Sequence, residues 1–415
     1  MNKIVEPRTL PGFRDFLPED MVVRQRVIDI LKTVFAKYGF SPMETPALEY
    51  QDILLGKYGP EAEQLMYLFD DRGERKVGMK YDLTLPSARV VSQYQSLARP
   101  FKRYQIQQVW RADRPQKGRY REITQCDVDT FGASSPLADA EIIAVIYECL
   151  TNLGFKDFLT KINSRQILFA IMEKAGVNKD KYLSAIQSID KLDKKPEVAV
   201  KSELDIKGFK KAEVDNIFFE LKNAEPDKNL EEMFSFIIKL GVPKNYFRFE
   251  PFLSLGLDYY TGPVFETVVV EPKIWSVTGG GRYDGLIGQF TGIEVPATGT
   301  SFGLDRICDV ITELKLWPNL PRTSTKVLVT IFSFDTLAQS LDTVKMLRTN
   351  GVNAEVFLDQ NSKLDKQLKY ADAKGIPFAL IIGPDEVKKD LLTIKNLRTK
   401  TQTTTTASDA LKLIR

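Results

Sequence analysis

Apolar residues recur at helical spacing over residues 19–40, where Val23, Val27, Ile30, Leu31, Val34 and Phe35 share one face and predict an amphipathic helix. Residues 41–135 turn strand-like and rich in Arg, with strands predicted at 81–85 and 101–109. A second helix is predicted over 138–153, with Ile142, Ile143, Ile146 and Leu150 on one side. From about 165 to 243 Lys, Asp, Glu and Leu dominate, and helices are predicted without a sharp motif. Strands and glycines return between 246 and 303. A further helix begins at Gly303, with Leu304, Ile307, Cys308 and Ile311 as its buried stripe. The stretch 314–325 contains Pro318 and Pro321 and reads as a linker. Beyond it, segments 327–332, 338–350, 354–357, 363–374 and 378–382 alternate strand and helix, the pattern of a separate α/β domain. The threonine-rich run 401–406 reads as a polar turn.

Composition narrows the chemistry. The chain has 415 residues, 43% of them hydrophobic and 27% charged, which suits a soluble globular protein. Its 58 basic and 55 acidic residues leave a net charge of only +3, so it is no polycation. Residues 326–415 hold 14 Lys and Arg against 10 Asp and Glu, so the positive excess sits there. Cys126, Cys149 and Cys308 are far apart and odd in number, which argues against a disulfide framework or a cysteine metal site. The start carries no apolar signal core, and no apolar run is long enough to span a bilayer. A cytoplasmic protein with no membrane contact is expected. The chain contains no histidine. That excludes a His-based triad, an imidazole general base and His-ligated zinc. Any chemistry must rest on carboxylates, Arg, Lys, Tyr or a bound cofactor.

Four segments hold candidate chemistry. In the first, Arg103, Arg111, Arg114, Lys117 and Arg119 flank and occupy a polar loop between two strand-like runs. Such a basic hairpin can aim several guanidinium forks at one anionic ligand, although a charge run alone is more often a solvated surface. The second is Leu257-Asp258-Tyr259-Tyr260-Thr261-Gly262. If this is a strand, its adjacent tyrosines face opposite ways and only one can line a given pocket. The third, Thr278-Gly279-Gly280-Gly281-Arg282-Tyr283-Asp284-Gly285, offers close backbone approach and unusual φ angles. It is neither a GxGxxG nor a P-loop motif. The fourth, Gly299-Thr300-Ser301-Phe302-Gly303-Leu304-Asp305-Arg306, is a strand running into a helix with Arg in the first turn.

Taken in this order, the four segments resemble the class II histidyl-tRNA synthetases. Pro11-Gly12-Phe13-Arg14-Asp15 and Tyr81-Asp82-Leu83-Thr84-Leu85-Pro86 fit the same family, and 375–383 resembles its anticodon-binding domain. The resemblance covers nearly the whole chain. It implies an α+β fold: an antiparallel sheet core in residues 1–325 with a helical insertion at about 165–243, then an α/β anticodon-binding domain at 326–415. It implies a ligase that joins histidine to ATP and passes the acyl group to tRNA(His), with Mg²⁺ sharing the phosphate charge. A homodimer is implied by the match of Glu44-Thr45-Pro46 to the family's first motif.

The same resemblance assigns residues. Arg111 matches the arginine on the α-phosphate and substrate carboxylate. Arg119 and Arg306 match the clamps on the outer phosphates. Asp82, Thr84 and Gln125 match the groups that hold the α-amino end. Asp129 and Tyr260, with Tyr259, match those that read the imidazole. Tyr283 and the Gly279–Gly281 backbone would close the pocket floor, and Gln116-Lys117-Gly118 would meet the acceptor end of tRNA. The family usually has Arg where this chain has Leu255, beside the reacting carboxylate and α-phosphate. Loss of a comparable donor costs about 10²–10³ in rate, which puts the activity in doubt: the site is either compensated or impaired in adenylation. Ser164 stands where the family often has His. The alternative left open is an impaired or non-catalytic paralogue, acting as a histidine-sensing regulatory subunit or a tRNA binder.

Overall fold

The computed structural model describes residues 5–55, 63–114, 120–256, 258–270 and 276–414. Its contacts divide the chain into two units. One comprises Met1–Asp15 with Arg26–Leu316, and the other Phe16–Gln25 with Trp317–Arg415. The first helix, Pro18–Lys37, begins with Glu19 and Asp20 and ends with Lys37, charges that suit its dipole. Val27, Leu31, Val34 and Phe35 are fully buried on one side of it, as their spacing requires.

In the first unit, eight strands form one sheet among the described residues. They are β1 (Ser41–Pro42), β5 (Phe101–Trp110), β6 (Glu122–Phe131), β7 (Phe158–Ser164), β8 (Phe247–Phe249), β9 (Pro263–Val269), β10 (Thr278–Arg282) and β11 (Ala297–Gly303). Their order is β1-β5-β6-β11-β10-β9-β7-β8. The six central strands are antiparallel, and each edge strand joins in parallel. A small antiparallel sheet of β2 (Leu48–Tyr50), β3 (Leu68–Asp70) and β4 (Lys76–Met79) stands beside it. The helix Pro136–Leu153 covers the large sheet. Ser135 caps its start by accepting the Leu137 N–H, and Gly154, at φ 94°, ends it. Helices also fill 165–239, at Arg165–Lys174, Tyr182–Ile189, Glu197–Ile206, Lys211–Lys222 and Lys228–Lys239. Ser164 caps the first of these through the Gln166 N–H, a role serine suits well.

Three expectations are corrected. Residues 81–85 are not a strand: an irregular turn leads into the helix Thr84–Gln93. Asp82 accepts the Leu85 N–H at 3.1 Å and so starts that helix. Leu83 and Leu85 are both fully buried, so their spacing does not mark one face of a strand. The threonine run is not a turn either. Gln402–Thr405 forms strand β16, as its β-branched residues favour. Gly279–Gly281 do not take positive φ angles; they lie in strand β10, where glycine is needed for space. A Cβ on Gly280 would sit 2.1 Å from the Gly299 carbonyl oxygen, and one on Gly281 2.5 Å from that of Pro263.

In the second unit, β12 (Val327–Val329), β13 (Ala354–Val356), β14 (Phe378–Ile381), β15 (Leu392–Asn396) and β16 form a mixed sheet in the order β13-β12-β14-β15-β16. Helices Leu337–Thr349 and Ala407–Ile414 supply apolar faces to it, and Val327, Val329, Leu347, Leu380, Ile394 and Ile414 form its core.

Candidate active site

A cavity of about 550 Å³ opens over the central strands of the first unit. Its wall is assembled from six separate stretches of sequence. The antiparallel pairing of β5, β6, β11 and β10 brings the strand-borne ones together, since Gln125 faces Gly303 across β6–β11 and Thr278 faces Phe302 across β10–β11. Asp82, Arg111, Gln125, Tyr259, Tyr260 and Arg306 all line the cavity. Six residues singled out from sequence thus share one space.

Each is held by a named contact. Arg111 stacks its guanidinium 4.4 Å from the Tyr81 ring centre and donates Nε to the Tyr81 carbonyl at 3.2 Å. Arg306 donates Nη1 to the Ser276 carbonyl at 2.7 Å. Gln125 donates Nε2 to Ser301 Oγ at 2.8 Å. Tyr259 and Tyr260 both line the cavity, with ring centres 4.8 Å apart. The expectation that only one could do so fails because residues 258–260 form a turn and not a strand. The strand alternation rule therefore does not apply.

Thr84, Asp129 and Tyr283 do not line the cavity. Thr84 is the first residue of its helix and half-buried. Asp129 lies behind the wall, its carboxylate paired with Arg103 at 2.7 Å and accepting the Tyr283 hydroxyl. Tyr283 in turn packs edge-on against Tyr259, 5.9 Å between ring centres. Of the glycines, Gly279 alone of the three lines the cavity. Arg119 and the 116–118 loop lie outside the described residues.

Burial governs the electrostatics behind the wall. Arg103 is 0% exposed and faces Asp127 and Asp129 from β5 across β6. Burial raises the pKa of both carboxyls, and the Arg103 charge opposes that rise. Burial likewise raises the pKa of the Tyr260 phenol, which stays neutral and able to donate. Gly299 has no room for a side chain, since a Cβ would lie 2.0 Å from Asp129 Oδ1. That carboxylate is packed against main chain.

Several contributors gain their roles only in the fold. Tyr81 supports Arg111. Asp305 accepts from Arg14 Nη2 at 2.6 Å and from the Thr124 N–H at 3.2 Å, and Arg14 lies over the Tyr120 ring at 3.2 Å. Arg14 was in a quoted motif, but its partner could be found only from the register of the strands. Leu255 lines the cavity with a hydrocarbon side chain, and its backbone is at φ 42°. A branched residue in that region costs roughly 1–3 kcal/mol, which the surroundings must offset.

An anionic ligand with a cationic amine fits such a wall. Guanidinium groups of Arg111 and Arg306 suit phosphate oxygens, and Asp82 suits an ammonium. Among the described residues, no three His, Cys, Asp or Glu side chains form a metal-binding group. Asp113, Glu266 and Asp305 nonetheless line the cavity singly. Mg²⁺ ordinarily uses only one or two protein carboxylates beside phosphate oxygens and water, so this donor set fits it. No described helix is long and apolar enough to cross a membrane.

Comparison with known proteins agrees with this geometry. Residues 12–307 match the family model for histidyl-tRNA synthetase, and residues 326–415 match that for an anticodon binding domain. The chain is 40% identical to the histidine–tRNA ligase of Cytophaga hutchinsonii, over 95% of this chain and 96% of that one. It is 41% identical to the histidine–tRNA ligase of Gloeobacter violaceus, over 95% of each. Among solved structures, the histidyl-tRNA synthetase of a Nostoc species superposes with a TM-score of 0.85 at 28% identity, covering 99% of both chains. The fold is therefore α+β with a C-terminal anticodon-binding module, and the chain belongs to the histidyl-tRNA synthetase family.

Proposed function

We propose that the chain is a histidine–tRNA ligase, which joins histidine to ATP and transfers the acyl group to tRNA(His). The observation that carries this reading is the convergence of Asp82, Arg111, Gln125, Tyr259, Tyr260 and Arg306 on one cavity. Asp82 and Gln125 receive the α-ammonium. Arg111 spans the amino-acid carboxylate and the α-phosphate, drawing them into line for attack. Arg306, with Arg119 by resemblance, takes the outer phosphates. Charge builds on the α-phosphate as the carboxylate adds, and the fixed guanidinium of Arg111 stabilises it there. Tyr259 and Tyr260 meet the imidazole ring. Asp129 and Tyr283 act one layer behind, fixing the tyrosines and the local potential. Thr84 acts through the start of its helix. Asp113 and Glu266 would hold Mg²⁺, which when bound would supply positive charge for the phosphates.

Residues 1–325 serve as the catalytic domain and 326–415 as the anticodon-binding domain, with the helices of 165–243 facing the acceptor arm. A homodimer is the working assembly. Leu255 offers no donor to the cavity, so adenylation runs slower than an arginine there would allow. The test is histidine-dependent exchange of pyrophosphate into ATP. Exchange that requires histidine supports the ligase, and Leu255→Arg is expected to raise it by at least tenfold, part of the 10²–10³ that such a donor supplies. Histidine binding without any exchange, in both the wild type and L255R, overturns the ligase reading in favour of a sensing paralogue.

A further inference from the structure

Arg165 is among the largest fully buried side chains, 0% exposed, although it opens a helix. A buried guanidinium is costly unless its surroundings compensate it. Two bonds of Arg165 reach a single stretch of chain. Arg165 Nη2 donates to the Leu255 carbonyl at 2.7 Å, and its backbone N–H donates to the Gly262 carbonyl at 2.8 Å. One residue thus bonds both flanks of the 255–262 stretch. Asn163, two residues earlier, adds bonds to the carbonyls of Pro251 at 3.0 Å and Leu253 at 2.8 Å.

The clasped stretch supplies Leu255, Gly256, Tyr259 and Tyr260 to the cavity wall. Leu255 sits at φ 42°, a conformation a leucine does not choose unaided. Its carbonyl is the atom that Arg165 holds. Two carboxyl groups, Asp258 and Asp190, lie within electrostatic reach of the same guanidinium, and so does the neutral Tyr260 phenol. The helical segment 182–193 packs in from the far side: Gln187 donates to Asp258 Oδ1 at 3.2 Å, and a side chain on Gly256 would come within 3.2 Å of Asp190 Oδ2. The stretch is therefore held from beneath, at main-chain atoms, by residues that do not line the cavity.

We propose that Arg165 is a positioning residue of the amino-acid pocket: by holding the Leu255 and Gly262 carbonyls it fixes the turn that directs Tyr259 and Tyr260 at the bound amino acid. The inference rests on the reading that this cavity takes histidine. Lysine at 165 would keep the charge but lose the fork that reaches the Leu255 carbonyl. Methionine would lose both.

The test compares wild type, R165K and R165M in the full chain by three measurements. Backbone hydrogen exchange is followed in peptides covering 253–262 and, as a control, 101–131. Histidine affinity is measured by equilibrium dialysis with radiolabelled histidine, and ATP affinity by the same method. In R165M, exchange over 253–262 is expected to rise at least tenfold with 101–131 unchanged. Histidine affinity is expected to fall about tenfold, the scale of one charge-assisted hydrogen bond, with ATP affinity unchanged. R165K should fall between, and it keeps the test readable should R165M fail to fold. Protection lost equally over both regions, or histidine binding equal in all three proteins, overturns the proposal. Loosening of 253–262 in a protein whose wild type binds no histidine overturns the ligase reading instead and leaves the clasp standing.

Discussion

Arg111 and Arg306 reach the cavity with one nitrogen each tied to a main-chain carbonyl, at Tyr81 and Ser276. A carbonyl orients a guanidinium without neutralising it. Arg111→Ala is expected to lower the histidine-dependent exchange rate by about 10²–10³, the cost of removing a preorganised donor from a developing charge. Steady-state exchange kinetics check this. Behind the wall, Asp127 shares Arg103 with Asp129. Burial raises the folded-state pKa of Asp127 above its ordinary value. Its contribution is therefore least unfavourable in acid and worsens as pH rises past the ordinary carboxylate range towards the raised folded value. Asp127→Asn removes that penalty. Its Tm advantage over wild type should be small at pH 4 and grow up to pH 8, read by thermal melts at several pH values. At this scale the sequence pointed to residues that line the cavity but not to those that support them. Tyr81 and Arg103 stand in candidate segments as Arg111 and Arg306 do, but like Arg165 they acquire their supporting roles from neighbours distant in sequence.

The strands explain why the glycines are fixed. Gly280 and Gly299 lie on β10 and β11, whose backbones approach so closely that added carbons would meet main-chain atoms. Gly280→Ala is expected to destabilise the first unit by the upper end of the roughly 1–3 kcal/mol typical of overpacking, because a neighbouring strand cannot move aside as a side chain can. Chemical denaturation would show this as a shifted midpoint with an unchanged slope. Long elements were legible. The helices Pro18–Lys37 and Pro136–Leu153 and the hairpin of β5 and β6 follow from periodicity. Short elements were not. The turn at 258–259 and the helix start at Asp82 are two: the Asp82 carboxylate accepts the Leu85 N–H and turns the chain, which the spacing of apolar residues does not report.

For the molecule as a whole, the composition shift beyond 326 marked out a second body, and its α/β order was legible. What the pattern could not show is that Phe16–Gln25 groups with it, since the helix Pro18–Lys37 has one continuous stripe over residues of both units. In that second unit Arg322 and Arg398 flank a cavity of about 590 Å³, and Arg398 is exposed. A polynucleotide partner would meet this basic surface by phosphate contact. Arg398→Ala is expected to weaken binding of tRNA(His) and to reduce the dependence of log K on log salt by roughly one, while histidine-dependent exchange stays at the wild-type level. Filter binding across a salt series checks it.

The cavity wall carries carboxylates, guanidinium groups, phenols and an amide, but no imidazole, and neither does any other part of the chain. Spectroscopically the protein is therefore blank where its proposed ligand is not. In a nitrogen-15 spectrum of the chain mixed with labelled histidine, every imidazole resonance belongs to the small molecule. Its tautomer and protonation state can be followed during titration without resonance assignment, isotope-edited filters or mutation of the protein.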